Sequence, residues 1–451
     1  MKYEKKKQLL ILNKFKEIHK YYNKALFDPY KDDPLYFAPY SNSLGLILIK
    51  SYANIKSSFF LNFKTILADF FYSSNYLNFK IFENLNKIKY DKIIITWSFK
   101  SDFNPDGSLN DRYLNVNSKK IKKTLWFCIY MDKKLPKKIE KNIVIFQQIN
   151  KKKVNILKIF KNFFLNLRFL FTDFRYFLFK ISNFNFFSYI FLKNFRDYIN
   201  QDLKQIIMPY EGQPFQNHLI NFIKKEKLKI KISGYVHSPP LAFPATFIYK
   251  NNSPDEIFLN GKDQVYCFSK LLGWKRNKLK LIPSPRFLKS FKDMSSKIYF
   301  PFNIKSEKII LASLNHLIKV EKFNFNGFEI KIHPASCNSK KINEIVKKVK
   351  NTIKNSSIKN RRKEKVSLFI GTSGAIVEAL ERGIKVIQIA ENPILDIYSD
   401  LVWKSVNIKK MYNNIFFYSL KKRGNLIKFG NRTVNLKKET KIPSFIANTL
   451  I

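Results

Sequence analysis

The sequence predicts an α/β chain of two Rossmann-like, doubly wound domains in tandem, behind an extra and mainly helical N-terminal region. Three observations carry that expectation. From Ile93 onward, continuous apolar runs alternate with helical segments, as in a parallel sheet covered on both faces. A proline-rich segment, IPSPRF at 282–287, interrupts the alternation, which then starts again. In that second half, GTSGAIVEAL at 371–380 reads as a tight glycine turn opening a helix, directly after the apolar run Val366–Ile370.

The boundaries follow from these changes of pattern. Residues 1–90 are aromatic, lysine-rich and mostly helical in period, with few strand signals. Residues 91–290 form the first α/β domain, with strands at IIITWS (93–98), TLWFCIYM (124–131) and NIVIFQQ (142–148). Three shorter strands follow at about 206–208, 228–233 and 256–259. A basic, aromatic insertion at 149–200 holds a Phe-, Leu- and Ile-rich stretch from Asn162 to Phe195, whose charges leave no apolar run long enough for a spanning helix. Such a stretch suits either a membrane interface or an amphipathic helix packed on its own domain.

Residues 291–451 form the second domain, and the polar stretch as far as Ile304 belongs to the boundary. KIILASL (308–314) reads as a strand and FEIKIHP (328–334) as another. Ile342, Ile345, Val346, Val349 and Ile353 fall on one helical face. The lysine-rich run 354–365 reads as a solvated connector, followed by VSLFI, the GTSG turn, a helix ended by Gly383 and the strand KVIQIA.

The chain has 451 residues, 83 of them basic and 33 acidic, for a formal charge of +50. Much of the excess is lysine in a background of Ile, Asn and Phe, a compositional bias as much as a binding face. The remainder favours an anionic partner: a phospholipid surface, a nucleotide or nucleic acid. Three widely spaced cysteines, Cys128, Cys267 and Cys337, support neither a disulfide framework nor a zinc site, and fit a reducing cytoplasm. The apolar run in MKYEKKKQLLILNKF is too short for a signal peptide.

The chemistry concentrates at the ends of strands. Helix amides at Ser373, Gly374 and Ala375 favour an anion through unpaired N–H groups and the helix dipole, and Gly371 supplies the tight turn. Thr372 and Ser373 add hydroxyls, although Ser and Thr are also ordinary helix caps. His333, before Pro334, stands at a neighbouring strand end as a second donor to a departing phosphate. Glu211, before Gly212, sits at the carboxyl edge of the first sheet, as a general base, as a cap for the helix of residues 214–225 or as a binder of acceptor or sugar. His237 lies on the next strand end, in a loop fixed by Pro239, Pro240 and Pro244. Glu378 reaches either a nucleotide ribose or Arg382 four residues on. Arg286 counters either an anionic ligand or a hinge carboxylate. No D-x-D pair follows an apolar strand, so no metal ligands are expected and metal independence follows.

The HP step at His333 and Pro334, with the later Thr372-Ser373-Gly374 turn, resembles the GT-B glycosyltransferases of bacterial surface polysaccharides. That group includes polysialyltransferases, capsular Kdo transferases and CDP-glycerol glycerophosphotransferases. The stretches MPYEGQPFQNHLI (208–220), GYVHSPPLAFP (234–244), PDEIFLNG (254–261) and IPSPRF are similar to a family of surface carbohydrate biosynthesis proteins with the order YEGQP, GY.HS, P.D and PR. The chain departs from polysialyltransferases in having Tyr210 and one acid, Glu211, before the glycine, and Thr372-Ser373 in place of paired serines.

The resemblance implies an inverting, metal-independent transferase. It would move a sugar, with CMP-linked sialic-type or Kdo donors favoured, to a capsule or lipopolysaccharide glycan. Glu211, His333 and His237 would be its catalytic residues. His333, Pro334, Gly371, Thr372, Ser373, Gly374, Glu378 and Arg286 would bind the donor. It implies no cofactor beyond the nucleotide sugar as co-substrate, a glycan or lipid-linked acceptor, no nucleic acid, and a cytoplasmic, peripheral place at the inner membrane face. Two other readings stay open: a hydrolysing-type sugar-nucleotide epimerase, and a basic membrane- or nucleic-acid-binding protein without catalysis.

Overall fold

A computed structural model of the chain describes residues 1–24, 44–53, 79–83, 88–149, 183–238, 242–288, 293–301, 306–333, 336–356 and 365–430, with residues 164, 167 and 304 singly. Most of the 149–200 insertion, Pro239, Pro240, Pro334 and most of the lysine-rich connector lie outside them.

The first sheet has eight strands: β1 (Phe79–Glu83), β2 (Lys92–Ser98), β5 (Thr124–Tyr130), β6 (Ile143–Gln148), β7 (Gln205–Pro209), β8 (Lys231–Tyr235), β9 (Glu256–Leu259) and β10 (Leu279–Leu281). The missing numbers, β3 (Asn110–Asp111) and β4 (Val116–Asn117), form a small antiparallel pair outside it. The order is β1-β6-β5-β2-β7-β8-β9-β10, all parallel except β1, which runs antiparallel to β6. All seven residues of β5 and all five of β7 are buried, which is why these strands read as unbroken apolar runs.

The two faces of this sheet are covered differently. One carries the helices Asn183–Phe195 and Pro214–Lys225, with Phe191 and Phe195 packed on Phe127, Phe191 also on Phe146, and Phe215 on Phe191. The other is covered by the loop after β2, whose Leu109, Leu114, Val116 and Ile121 pack on Ile94, Trp126, Cys128 and Ile145. A loop thus does the work expected of a helix. For the described part of the aromatic insertion, Asn183–Phe195, burial of Phe191, Leu192 and Phe195 answers in favour of packing on its own domain. β1 also draws the end of the 1–90 region into the first sheet, so the described N-terminal elements are two helices, Lys2–Lys24 and Leu44–Tyr52, plus an edge strand.

The second sheet contains β12 (Lys297–Phe300), β13 (Glu329–Ile332), β14 (Val366–Ile370), β15 (Lys385–Ile389), β16 (Val406–Tyr412) and β17 (Ile415–Leu420), in the order β13-β12-β14-β15-β17-β16. β12 to β15 are parallel, and β17 and β16 are added antiparallel. The expected strand at 308–314 is instead part of the helix Glu307–Lys319. Ser306 caps it by accepting from the Ile309 amide at 3.4 Å, and Ile310, Leu314, Leu317 and Ile318 form its buried face. The strand of that unit is KIYF at β12, inside the segment expected to be a boundary. The helix Lys340–Lys354 buries the five expected residues, Ile342, Ile345, Val346, Val349 and Ile353.

The two lobes share one core, in which Phe243, Phe247 and Trp274 of the first join Ile376, Tyr398 and Trp403 of the second. The Trp403 indole N–H donates to the Ala242 carbonyl at 3.1 Å. Residues 424–430 return to the first lobe as a strap: β18 (Phe429–Gly430) pairs with β11 (Ser284–Leu288), and the Asp263 amide donates to the Asn425 carbonyl at 2.9 Å. Glu381 fixes the strap from the other side, accepting from the amides of Gly424, Leu426 and Ile427. The N-terminal helix also docks on the second lobe, where Gln8 donates to the carbonyls of Ile394 and Ile397 at 2.8 and 3.0 Å.

Candidate functional site

In each sheet the chain leaves one strand, builds outward, and returns to the other side of that strand. The reversal falls between β2 and β7 in the first sheet and between β12 and β14 in the second. Open α/β sheets hold ligands at the carboxyl ends of such strands.

At the first reversal, β7 ends at Pro209 and the chain turns through Glu211 and Gly212 into the helix Pro214–Lys225. Gly212 has φ +69°, and a Cβ there would meet the Thr246 carbonyl oxygen at 2.2 Å, so no other residue fits. Gln216 staples the turn. Its Oε1 accepts from the amides of Glu211 and Gln213, each at 3.1 Å, while its Nε2 donates to the Pro209 carbonyl at 2.6 Å. The helix cap is therefore the Gln213/Gln216 pair. Glu211 is not the cap, and its carboxylate is left to face the crevice.

There its Oε1 lies 3.3 Å from Nε2 of His237, and Oε2 accepts from the Gln213 side-chain Nε2. The Glu211 side chain keeps 31 % of its exposure and that of His237 only 5 %, so the pair opens to solvent on the carboxylate side. Burial pushes the Glu211 pKa up, opposed by the Gln213 hydrogen bond and by the Arg286 charge. Burial pushes His237 well below the usual histidine range, and Arg286 adds to it. The result is a neutral imidazole beside a carboxyl that holds its proton unusually tightly. Nδ1 of His237 is buried and has no partner among the described residues.

The walls come from the loop after β2. The Tyr113 ring meets His237 edge-on at 4.5 Å and 86°, and Trp97 lies 6.3 Å from it. The Arg286 guanidinium sits over Tyr113 at 5.3 Å and beside Phe287 at 5.5 Å. No carboxylate pairs with Arg286 at salt-bridge distance among the described residues, so the hinge ion pair is absent there. Asp111 positions Tyr113: it accepts from the amides of Tyr113 and Leu114 and from the Thr96 hydroxyl. Burial raises its pKa to about 6. Glu211, His237 and Arg286 were legible in the sequence; Trp97, Asp111 and Tyr113 carried no motif, and Gln216 only the capping spacing QPFQ.

At the second reversal, Gly371 has φ +66° and its amide donates to the Ile389 carbonyl at 2.8 Å. The hydroxyls that follow are engaged. Thr372 donates to Asp396 Oδ1 at 2.7 Å, and Ser373 Oγ accepts from the Ala375 amide at 3.2 Å. The Ala375 amide, one of the three expected donors, is thereby taken by a local Ser373 turn, while Gly374 is the N-cap and makes no side-chain cap bond. The helix itself, Ala375–Glu381, has seven residues with Gly374 before it. Gln388 ties the turn to Asp396, donating to the Gly371 and Asp396 carbonyls at 2.9 and 3.0 Å. Glu378 pairs with Arg382 at 2.9 Å, both largely buried, so the helix-pair reading of Glu378 is the one present.

His333 follows β13, its amide donating to the Phe300 carbonyl at 3.2 Å. It is exposed, and burial of part of the ring lowers its pKa. It shares the carboxyl edge with the Gly371 turn, because β13, β12 and β14 are parallel. One strand, β12, stands between them, so the two are about 10 Å apart at the backbone. Pro301, which follows β12, packs toward Gly371, where a Cβ would lie 3.2 Å from it. Pro334 lies outside the described residues.

Among the described residues no group of three or more His, Cys, Asp or Glu side chains is arranged to hold a metal ion, and no helix is long and apolar enough to cross a membrane. The chain matches no protein-family model and no curated protein.

Proposed function

We propose that the chain is an inverting glycosyltransferase of GT-B type. It would transfer a sugar from a nucleotide donor, CMP-linked acidic sugars first among them, to a bacterial surface glycan, without a metal ion. The observation that carries this reading is the Glu211–His237 pair at the first reversal point, beside an Arg286 that no carboxylate among the described residues meets at salt-bridge distance. Glu211 takes the proton of the acceptor hydroxyl as its oxygen attacks the anomeric carbon. The bond from that carbon to the phosphate oxygen breaks, and the nucleotide leaves with the electron pair. A carboxyl with a raised pKa is a better base near neutral pH than an ordinary one. His237, neutral, orients that carboxyl, and Arg286 meets an anionic group on the sugar.

The amides of Ser373 and Gly374 and the imidazole of His333 receive the leaving phosphate, where negative charge grows. This half of the reading is supported by the shared strand edge and by the glycine turn. Thr372, its proton committed to Asp396, has no donor left for the phosphate and instead fixes the turn, and Glu378 has no share in it.

The test is transfer from labelled CMP-, UDP- and GDP-sugars to capsule or lipopolysaccharide fragments, with EDTA present. Transfer by the wild type, lost at least about a hundredfold in Glu211→Gln with unchanged folding, is the expected result. Full activity in that variant, or activity that EDTA abolishes and Mg²⁺ restores, overturns the reading.

A further inference from the structure

The helix Lys2–Lys24 has two faces of opposite character. Glu4, Gln8, Ile11, Leu12, Phe15, Ile18 and His19 are buried, against the second lobe and the shared core. The bonds from Gln8 to Ile394 and Ile397, with ion pairs from Glu4 to Lys410 at 2.8 Å and from Lys5 to Asp400 at 2.7 Å, fix the helix's rotation. What points outward is therefore fixed too. At 100° per residue, Lys6, Leu10 and Glu17 point away from the buried side, Tyr3 and Lys14 lie on one flank of this exposed stripe, and Lys2 and Lys20 lie on the other.

That stripe is exposed and mixed. Tyr3 and Leu10, two turns apart, each keep 59 % of their accessible surface. Around them stand Lys2, Lys6, Lys14 and Lys20, all exposed. The one acid on the stripe, Glu17, is held by Lys14 at 3.3 Å.

We propose that this outward face docks on an anionic phospholipid bilayer. Tyr3 and Leu10 enter the headgroup boundary and the lysines lie against lipid phosphates. Charge complementarity selects an anionic partner, and the two protruding apolar side chains select a membrane over a nucleic acid, whose backbone offers them no apolar contact. The inference does not depend on the transferase reading and survives its failure.

Flotation of the full chain with vesicles of phosphatidylcholine, alone or mixed with phosphatidylglycerol, tests it at low and high salt. Binding to the mixed vesicles at low salt is expected, weakened by salt. Since each lysine near such a surface contributes about fivefold, Lys2→Glu with Lys6→Glu lowers the partition coefficient at least about 25-fold. Tyr3→Ser with Leu10→Ser also lowers it, at unchanged charge. As a second measurement, an environment-sensitive dye on Leu10→Cys, with the exposed Cys337 changed to Ser, shifts to the blue on the mixed vesicles. Binding unchanged in either double variant, a dye that does not respond, or duplex DNA that binds more tightly than the vesicles overturns the proposal.

Discussion

Glu211 is a carboxyl pulled in two directions. Burial resists its charge, while Arg286 and the Gln213 side chain favour it, and the net effect is a raised pKa. If Glu211 is the base, kcat/KM falls as pH drops through that raised value. The acid limb of the profile then lies above 4.5, the ordinary glutamate value, and is absent from the residual activity of Glu211→Gln. His237 gives a separate, structural signal. Its folded pKa is depressed, so the unfolded chain binds the proton more readily. Stability is full above about 6.5 and falls as pH drops below it, where the unfolded imidazole charges and the buried one resists. Denaturant unfolding at stepped pH is expected to show this slope, and His237→Gln to reduce it. The sequence identified these two residues because each follows a strand end beside glycine or proline. Tyr113 and Asp111 were not legible, because their place depends on how a loop of some twenty residues folds across the sheet.

Turns decide more than strands at the level of single elements. The Gly212 turn aims Glu211, and its positive φ and the 2.2 Å approach to the Thr246 carbonyl leave no room for a side chain. Gly212→Ala is expected to cost about 3 kcal/mol, read by denaturant unfolding, and to lower transfer activity more than stability alone explains. Element type was legible wherever caps and period agreed, as in the helix Lys340–Lys354. The run at 308–314 reads as a strand because its short cluster of apolar residues fits either period. What settles it is Ser306, whose cap commits the segment to a helix. The hairpin of β16 and β17 escaped notice, although only Asn413 and Asn414 separate its strands, because its lysines dilute the apolar pattern.

Across the whole molecule, the lobes are held by a shared core and a strap. Trp403 is fully buried in that core and hydrogen-bonded to Ala242 of the other lobe. Trp403→Ala is expected to cost about 4 kcal/mol and to split unfolding into two transitions in calorimetry as the lobes lose their coupling. A single, merely shifted transition would mean that the strap and the rest of the shared core couple them without Trp403. Neither Trp403 nor the strap was legible in the sequence, since long-range pairing leaves no local period.

The N-terminal helix bonds carbonyls that lie 386 and 389 residues further along the chain. At ribosomal speeds of about 5–20 residues per second, it leaves the ribosome roughly 20–80 s before those acceptors exist. Throughout that interval the face of Ile11, Leu12, Phe15 and Ile18 has near partners such as Tyr52, whose ring meets Phe15 edge-on at 6.2 Å, and lacks those of the second lobe. A nascent chain of this kind depends on whatever shields it while translation continues, be it a chaperone or a nearby bilayer.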